Sequence, residues 1–328
     1  MATMLPGRRD GSTVAFVTDM HSGFDPRSNA IHNRIGMDLD WLERYCKVMG
    51  LAGDNVNWKN ASPSAEDSYI KSFLAARKNK AKYLVTSGNH DLGSDQKNSA
   101  GAYPSRSGNT WAAATGVPKY SHYPPGETVS SGLQMVTLSQ DSMALNQWLN
   151  KAAAAADDRP IVKPGRGVVY PQAALDYLET RLKTGRPTIL MIHYPLMEHY
   201  RNDRHWDPDA GKALSGLLAK YSNVVGVLSG HYHRSMVSTL LSHRTPLVLN
   251  GKTTYVAGVN GPSAGGAVSG FDVNTQPLIA SVVSYRPGRV VVRWRDLMQR
   301  RWVMGMRPDK TMGFTSEITV SCQVPVTY

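Results

Sequence analysis

Five short stretches of this chain end on residues that can donate an electron pair to a cation: Asp19-Met20-His21, Gly53-Asp54, Gly88-Asn89-His90-Asp91, His193 and Gly230-His231-Tyr232-His233. Carboxylate oxygen, amide oxygen and imidazole nitrogen together suit divalent zinc, manganese, iron or cobalt. Asp19, His21, Asp54, Asn89, His193, His231 and His233 make a set too large for one tetrahedral ion and about right for two ions sharing a bridge. Two ions roughly 3.5–4 Å apart suit displacement at phosphorus, because one stabilises the attacking oxygen and the other the leaving oxygen. Coordination lowers the pKa of water from about 15.7 to about 7, so a metal-bound hydroxide exists at neutral pH. The cations also reverse the sign that bare carboxylates would present to a phosphate ester.

Taken singly, these motifs are ordinary. Gly-Asp is turn material, and a histidine before Tyr194-Pro195 usually packs. Their shared position is what makes them a set. Thr13–Asp19, Val48–Gly53, Tyr83–Ser87, Thr188–His193 and Val224–Ser229 each read as a short buried strand that stops where the donors begin. Helices are expected between them. Asp38–Lys47 has helical spacing, and Ser64 reads as the N-cap of a helix running to about Lys80, with Asp67 completing an acidic capping box. Pro171–Lys183 and Ala210–Tyr221 are further helices, and Leu133–Leu138 a further strand. This alternation predicts an α/β core, and in such sheets sites form outside the carboxyl ends of the strands. One shared site is simpler than five. Beyond Arg234 the strands at 247–250, 254–259, 279–285 and 289–294 make a β-rich C-terminal part, at about 235–328.

In this order the motifs resemble the calcineurin-like metallophosphoesterase superfamily. They are most similar to its branch of class III cyclic-nucleotide phosphodiesterases and glycerophosphodiesterases. The resemblance runs from about Val14 to Arg234. It implies a four-layer α/β/β/α sandwich with two mixed sheets, one domain over residues 1–328, and a dinuclear site at one edge. It implies that Asp19, His21 and His233 hold the first metal, that Asn89, His193 and His231 hold the second, and that Asp54 bridges both. It further implies that His90, beside Asn89, contacts the phosphate and protonates the leaving group while Asp91 orients it. The Gly-Asp-x-x-Asp-Arg and Gly-Asp-x-x-Glu-Arg forms of Ser/Thr protein phosphatases are absent. Here Asn55-Val56-Asn57-Trp58 follows Gly53-Asp54, which argues against that substrate class.

The expected activity is hydrolysis of a small phosphodiester, such as a cyclic nucleotide, by in-line attack of a metal-bound hydroxide. The alternatives are a nuclease of the same superfamily acting on DNA or RNA, and a metal-binding scaffold without catalysis. Arg201, Arg204 and His205 are candidates to grip a substrate phosphate or base, with His199 a candidate behind the ligands. Residues 94–131, rich in Gly, Ser, Pro, Asn and Tyr, read as a long insertion or lid. As a lid, Tyr103, Trp111, Tyr120, His122 and Tyr123 would stack on a nucleobase; otherwise the segment is a structural insertion or an oligomer contact.

The composition of the 328 residues, 41% hydrophobic and 19% charged, fits a globular core and excludes a disordered chain. The formal charge of +12 favours anionic partners, and Arg286–Lys310 holds eight basic residues against two acids. In Gly288–Arg301, Arg293 and Arg295 alternate about Trp294, a pattern that tracks a nucleic-acid backbone or simply charges an edge strand. Nucleic acid is the less favoured partner. No run approaches the roughly 20 apolar residues of a membrane span. Met1–Ser12 is polar and basic, so no secretory leader is expected and the expected location is cytoplasmic. Two cysteines, Cys46 and Cys322, exclude a disulfide framework and are expected as reduced thiols.

Overall fold

Strands that are apolar on both faces must be buried between two layers, and among the described residues five strands are buried at every position. These are β1 (Thr13–Val17), β2 (Val48–Ala52), β5 (Gln134–Leu138), β8 (Thr188–Met191) and β9 (Val224–Ser229). The computed structural model describes residues 13–21, 39–44, 46–56, 64–77, 82–93, 106–123, 133–142, 168–194, 208–231, 236–240, 247–249, 252–254, 256–260, 279–297, 301–303, 305–306, 314–315 and 318–321. The other strands are β3 (Lys82–Thr86), β4 (Tyr120–Tyr123), β6 (Asp141–Ser142), β7 (Val168–Val169), β10 (Met236–Leu240), β11 (Leu247–Leu249), β12 (Lys252–Thr254), β13 (Val256–Asn260), β14 (Ile279–Arg286), β15 (Arg289–Asp296), β16 (Arg301–Val303), β17 (Gly305–Met306), β18 (Phe314–Thr315) and β19 (Ile318–Ser321). The helices are α1 (Ser64–Ala76), α2 (Asn89–Leu92), α3 (Gly108–Thr115), α4 (Gln172–Leu182) and α5 (Pro208–Ala219).

Two mixed sheets result. The first runs β16-β15-β14-β1-β2-β3, with β19 also pairing β15; the second runs β10-β13-β9-β8-β5-β4. β1, β2 and β3 are mutually parallel. So are β5, β8, β9 and β13. Helix α1 crosses over between β2 and β3, α4 between β5 and β8, and α5 between β8 and β9.

The period of two along each strand sorts side chains into three apolar layers. Ala15, Val17, Met49, Leu51 and Val85 face outward onto Ile70, Phe73 and Trp111. Val14, Phe16, Val48, Ala52 and Leu84 face inward onto Met135, Ile189, Met191 and Leu228 of the second sheet. Val136, Leu138, Leu190 and Ile192 carry the far side, against Ala174, Leu178, Leu182, Leu214 and Leu218 of α4 and α5. The four-layer α/β/β/α sandwich is therefore written in the strand alternation. On β9 the register jumps by one residue, so Val224 and Val227 face the helices while Val225 and Leu228 face the other sheet. Among the described residues no helix is long and apolar enough to cross a membrane.

Several expectations change here. Helix α1 ends at Ala76, short of Lys80. The Asp67 carboxylate, read as part of a capping box, accepts from the Arg106 guanidinium at 2.6 and 2.7 Å, a stronger partner than a backbone amide. Of Asp38–Lys47, the described part holds one helical turn over 39–42. Within 94–131, read as an insertion or lid, the described residues 106–123 form α3 and β4. Ser107 caps the N-terminus of α3, Gly116 in the left-handed region ends it, and Trp111 is 1% exposed in the outer core. Strand β4 closes one edge of the second sheet. Its Tyr120 and His122 pack on Tyr177 of α4. Arg181 Nη1 donates to His122 Nε2 at 3.3 Å, leaving Nδ1–H to donate to the Tyr177 hydroxyl at 2.8 Å. Tyr123 packs on the inter-sheet core, so these rings are spoken for within the chain; Tyr103 lies outside the described residues. The C-terminal part is β-rich as expected, yet it is no appendage, since β14 and β15 sit in the middle of the first sheet. Trp294 is fully buried between the sheets, and Arg295 lies 3.9 Å over the Trp41 ring, so neither is presented to a nucleic acid. Cys46 is a buried free thiol.

Trp294→Ala is expected to destabilise the protein by about 3–5 kcal/mol. The exposed neighbour substitution Arg289→Ala should stay within about 0.5 kcal/mol. Urea denaturation followed by tryptophan fluorescence and circular dichroism measures both.

Candidate metal centre

Five strands, parallel to their neighbours within each sheet, deliver the donors. Asp19 and His21 follow β1, Asp54 follows β2, Asn89 and His90 follow β3, His193 follows β8 and His231 follows β9. The backbone there is unusual. Asp19 (φ 54°), His21 (φ 46°), Asp54 (φ 50°) and His231 (φ 73°) are the non-glycine residues in the left-handed region among those described. Each such residue costs of order 1–3 kcal/mol unless its surroundings hold it. Here they do: Asp19 N–H donates to the Gly53 carbonyl at 2.9 Å, His21 N–H to the Asp54 carbonyl at 3.0 Å, and Gly230 N–H to the His193 carbonyl at 2.8 Å.

Two glycines are fixed by close approach. A Cβ on Gly88 would run into the Asp54 carboxylate and its backbone nitrogen, and one on Gly230 would meet the Thr18 hydroxyl and Asp19 Oδ2. The His231 N–H donates to both oxygens of Asp19, at 3.1 and 3.0 Å, which ties the end of β9 to the end of β1. The Thr18 hydroxyl lies 2.7 Å from Asp19 Oδ2 and 2.9 Å from the Ala52 carbonyl and donates to one at a time.

The donor atoms face one another. Asp54 Oδ2 lies 3.3 Å from His193 Nε2 and 4.0 Å from the Nε2 atoms of both His21 and His90. Asn89 Oδ1 lies 3.2 Å from His193 Nε2 and 3.1 Å from His231 Nδ1. His21 Nε2 is 4.0 Å from Asp19 Oδ1. Two groups of ligand atoms, His21–Asp54–His90 and Asp54–His193–His231, each lie within 4.8 Å of one another, and Asp54 belongs to both. His193 Nδ1–H donates to the Ala52 carbonyl at 2.8 Å, which turns Nε2 into the cage.

Burial raises the Asp54 carboxyl, but positive charge on His193, His90 and His21, together with the His193 hydrogen bond, holds it well below the usual carboxylate range. Burial also opposes charge on His193. The Asp54 carboxylate, with help from Asp19 and the Ala52 carbonyl, nevertheless pushes its imidazole up to about 9. In this arrangement Nε2 has only oxygen acceptors before it and must carry a proton. Convergent lone pairs in a buried cage require positive charge among them, and the oxygen–nitrogen donor set suits a divalent transition ion. The residues fit the metals that the sequence implied.

Asp91 stands behind the cage. Its Oδ2 accepts from Gly88 N–H at 2.7 Å, from the Asn55 side-chain amide at 3.1 Å and from Asn55 N–H at 3.3 Å, while Oδ1 accepts from Val56 N–H at 3.1 Å. Burial pushes this carboxyl up to about 6, Asp54's charge adds to that, and the backbone donors restrain it. His90 N–H donates to Asp54 Oδ1 at 2.8 Å.

The structure thus brings Asp19, His21, Asp54, Asn89, His90, His193 and His231 to one place. His90 stands with the His21–Asp54 group rather than apart from it, its ring 4.8 Å from that of His21. His233, His199, Arg201, Arg204 and His205 lie outside the described residues. Three contributors escaped the sequence reading. Tyr194 lies 4.2 Å from the His231 ring; Thr18 holds Asp19; Asn55 holds Asp91. Each is adjacent in sequence to a donor motif, the one signal that could have found them.

Gly88→Ala is expected to lower divalent-cation affinity at least about tenfold, because the new methyl displaces Asp54. In contrast, Gly216→Ala, in the interior of α5 where a Cβ meets nothing within 4 Å, should leave affinity intact and stabilise by about 0.5–1 kcal/mol. Isothermal titration with Mn²⁺ and thermal melts of each variant decide it.

The signature of the calcineurin-like phosphoesterase family matches residues 12–235. No curated protein matches the chain by sequence. A dimetal phosphatase from Danio rerio superposes with a TM-score of 0.58 at 10% identity, over 96% of this chain and 100% of that one. The purple acid phosphatase PPD1 from yellow lupin (Lupinus luteus) seeds superposes with a TM-score of 0.51 at 13% identity, over 95% of this chain. That match spans 54% of the lupin protein. These likenesses are of fold, and the family match covers the whole series of donor motifs: the chain belongs to the calcineurin-like phosphoesterase family.

Proposed function

We propose that this family member hydrolyses a small phosphodiester, such as a cyclic nucleotide, using two divalent metal ions. The observation that carries the reading is the position of Asp54, whose carboxylate is common to both groups of ligand atoms. In our assignment Asp19 and His21, joined by His233 from its sequence motif, would hold one ion. Asn89, His193 and His231 would hold the other, with Asp54 shared between them. Bound there, manganese, iron, zinc or cobalt would supply Lewis acidity at phosphorus and a nucleophile from water at neutral pH.

The chain's own residues supply the rest. His193 is oriented by the Ala52 carbonyl, and Asn89 by the α2 turn. The His90 side chain is 19% exposed, against 9% for His21 and none for His193, so it is open to a substrate. We assign it the phosphate contact and proton donation to the leaving oxygen. Asp91 holds the turn behind it rather than touching substrate. Asn55 occupies the position after Asp54 and is engaged with Asp91 and the Thr86 carbonyl, which supports a site unlike that of protein phosphatases.

Purified protein with Mn²⁺ should turn over a bis-aryl phosphate and a cyclic nucleotide faster than an aryl monophosphate or a DNA oligonucleotide. A preference for the monoester would move the assignment to a phosphatase, and a preference for the oligonucleotide to a nuclease. Asp54→Ala should lose both ions by elemental analysis. His90→Ala should keep both and lose about 10²–10⁴-fold in kcat, most with poor leaving groups. Two ions retained in Asp54→Ala would refute the bridging assignment.

A further inference from the structure

Helix α2 carries Asn89 and His90 yet is a single turn of four residues, too short to be stable by itself. Its front is held by the Asp91 carboxylate, as described. Its rear is held by Arg106, fifteen residues downstream of Asp91. Arg106 N–H donates to the Leu92 carbonyl at 2.8 Å, and Arg106 Nε–H donates to the Asp91 carbonyl at 2.8 Å. The guanidinium is fixed in turn. Nη1 and Nη2 donate to Asp67 Oδ2 and Oδ1 at 2.6 and 2.7 Å, with the two side chains only 5% and 9% exposed. Asp67 lies on α1, which is anchored in the outer core by Ile70 and Phe73.

We propose that Arg106 is a positioning residue that, with Asp67, sets the place of the Asn89–His90 turn; this rests on the reading of His90 given above. A buried ion pair is a weak source of stability, since apolar side chains of similar volume often replace one without loss. Geometry accounts for it better. One planar group spans an acid on a rigid helix and the peptide carbonyl next but one to the His90 nitrogen. A lysine ammonium, a compact point charge, cannot make that bidentate grip while also donating to Asp91 O. If the clamp slackens, the imidazole moves with the turn, and a misplacement of about 1 Å costs about 100-fold in rate.

The test replaces the pair with apolar residues in Asp67→Leu/Arg106→Met, which keeps the volume, and makes Arg106→Lys alongside. In the metal-free protein, amide hydrogen exchange over 89–93 should speed up about tenfold or more, while β2 and β3 keep their protection. In the Mn²⁺-loaded protein, kcat on an alkyl aryl phosphodiester should fall about 100-fold, with two ions retained and KM within about threefold. On top of His90→Ala, the same replacement should cost less than about threefold more. Unchanged exchange over 89–93 would overturn the clamp, as would a full additional loss in the His90→Ala background. If wild-type protein turns over no phosphate ester, the proposed function fails and the exchange measurement alone judges the clamp. If the double variant does not fold, Arg106→Lys carries both measurements.

Discussion

The donors of this site belong to different sheets, so the site exists only at the separation and register in which the two sheets pack. Asp19, Asp54 and Asn89 follow strands of the first sheet, His193 and His231 strands of the second. Polar links cross the gap at the site itself, among them His193 Nδ1–H to the Ala52 carbonyl, His231 N–H to the Asp19 carboxylate and the Thr86 hydroxyl to the Leu138 carbonyl. Away from the site, apolar contact fills the layer between the sheets. Gly50 marks how close it is, since a Cβ there would lie 2.6 Å from Met191 Sδ and 2.9 Å from Met135 Cε. A dense, poorly compressible layer of this kind transmits position well, which is what donors needing sub-ångström placement demand.

Against that rigid background the local backbone is forced. Four of the donors sit in the left-handed region, where aspartate and histidine are better tolerated than branched residues. The turn lets a strand stop abruptly and aim a short side chain sideways into the gap. Burial then does electrostatic work: with little water present, Asp54 and His193 set each other's protonation over 3.3 Å. The same proximity that charges His193 is what a cation would exploit.

The strands before each donor motif were legible because their alternation is simple and each run is closed by a residue of different chemistry. The convergence of Asp19, Asp54, Asn89, His193 and His231 followed from strand ends alone. What was not legible depended on partners distant in sequence. Asp67 reads locally as a cap, and only the fold shows Arg106 beside it, thirty-nine positions away. The α3–β4 stretch is short, so periodicity had too few residues to register; its helix is secured by Ser107, Gly116 and one buried tryptophan. The Arg293–Trp294–Arg295 alternation was visible, but a strand's two faces look alike in sequence, and Trp294 turned out to face the other sheet.

Strand β1 carries Asp19 and His21 at its end, yet its neighbour on one side is β14, with Thr13 opposite Ser284. On a ribosome, the first donor to emerge must therefore wait for almost the last part of the fold before its strand is flanked on both sides. Closure of so long a loop is slow relative to local helix formation. Until β14 is made, the margin of β1 that it covers has no partner strand, and such unpaired edges are where incomplete chains aggregate.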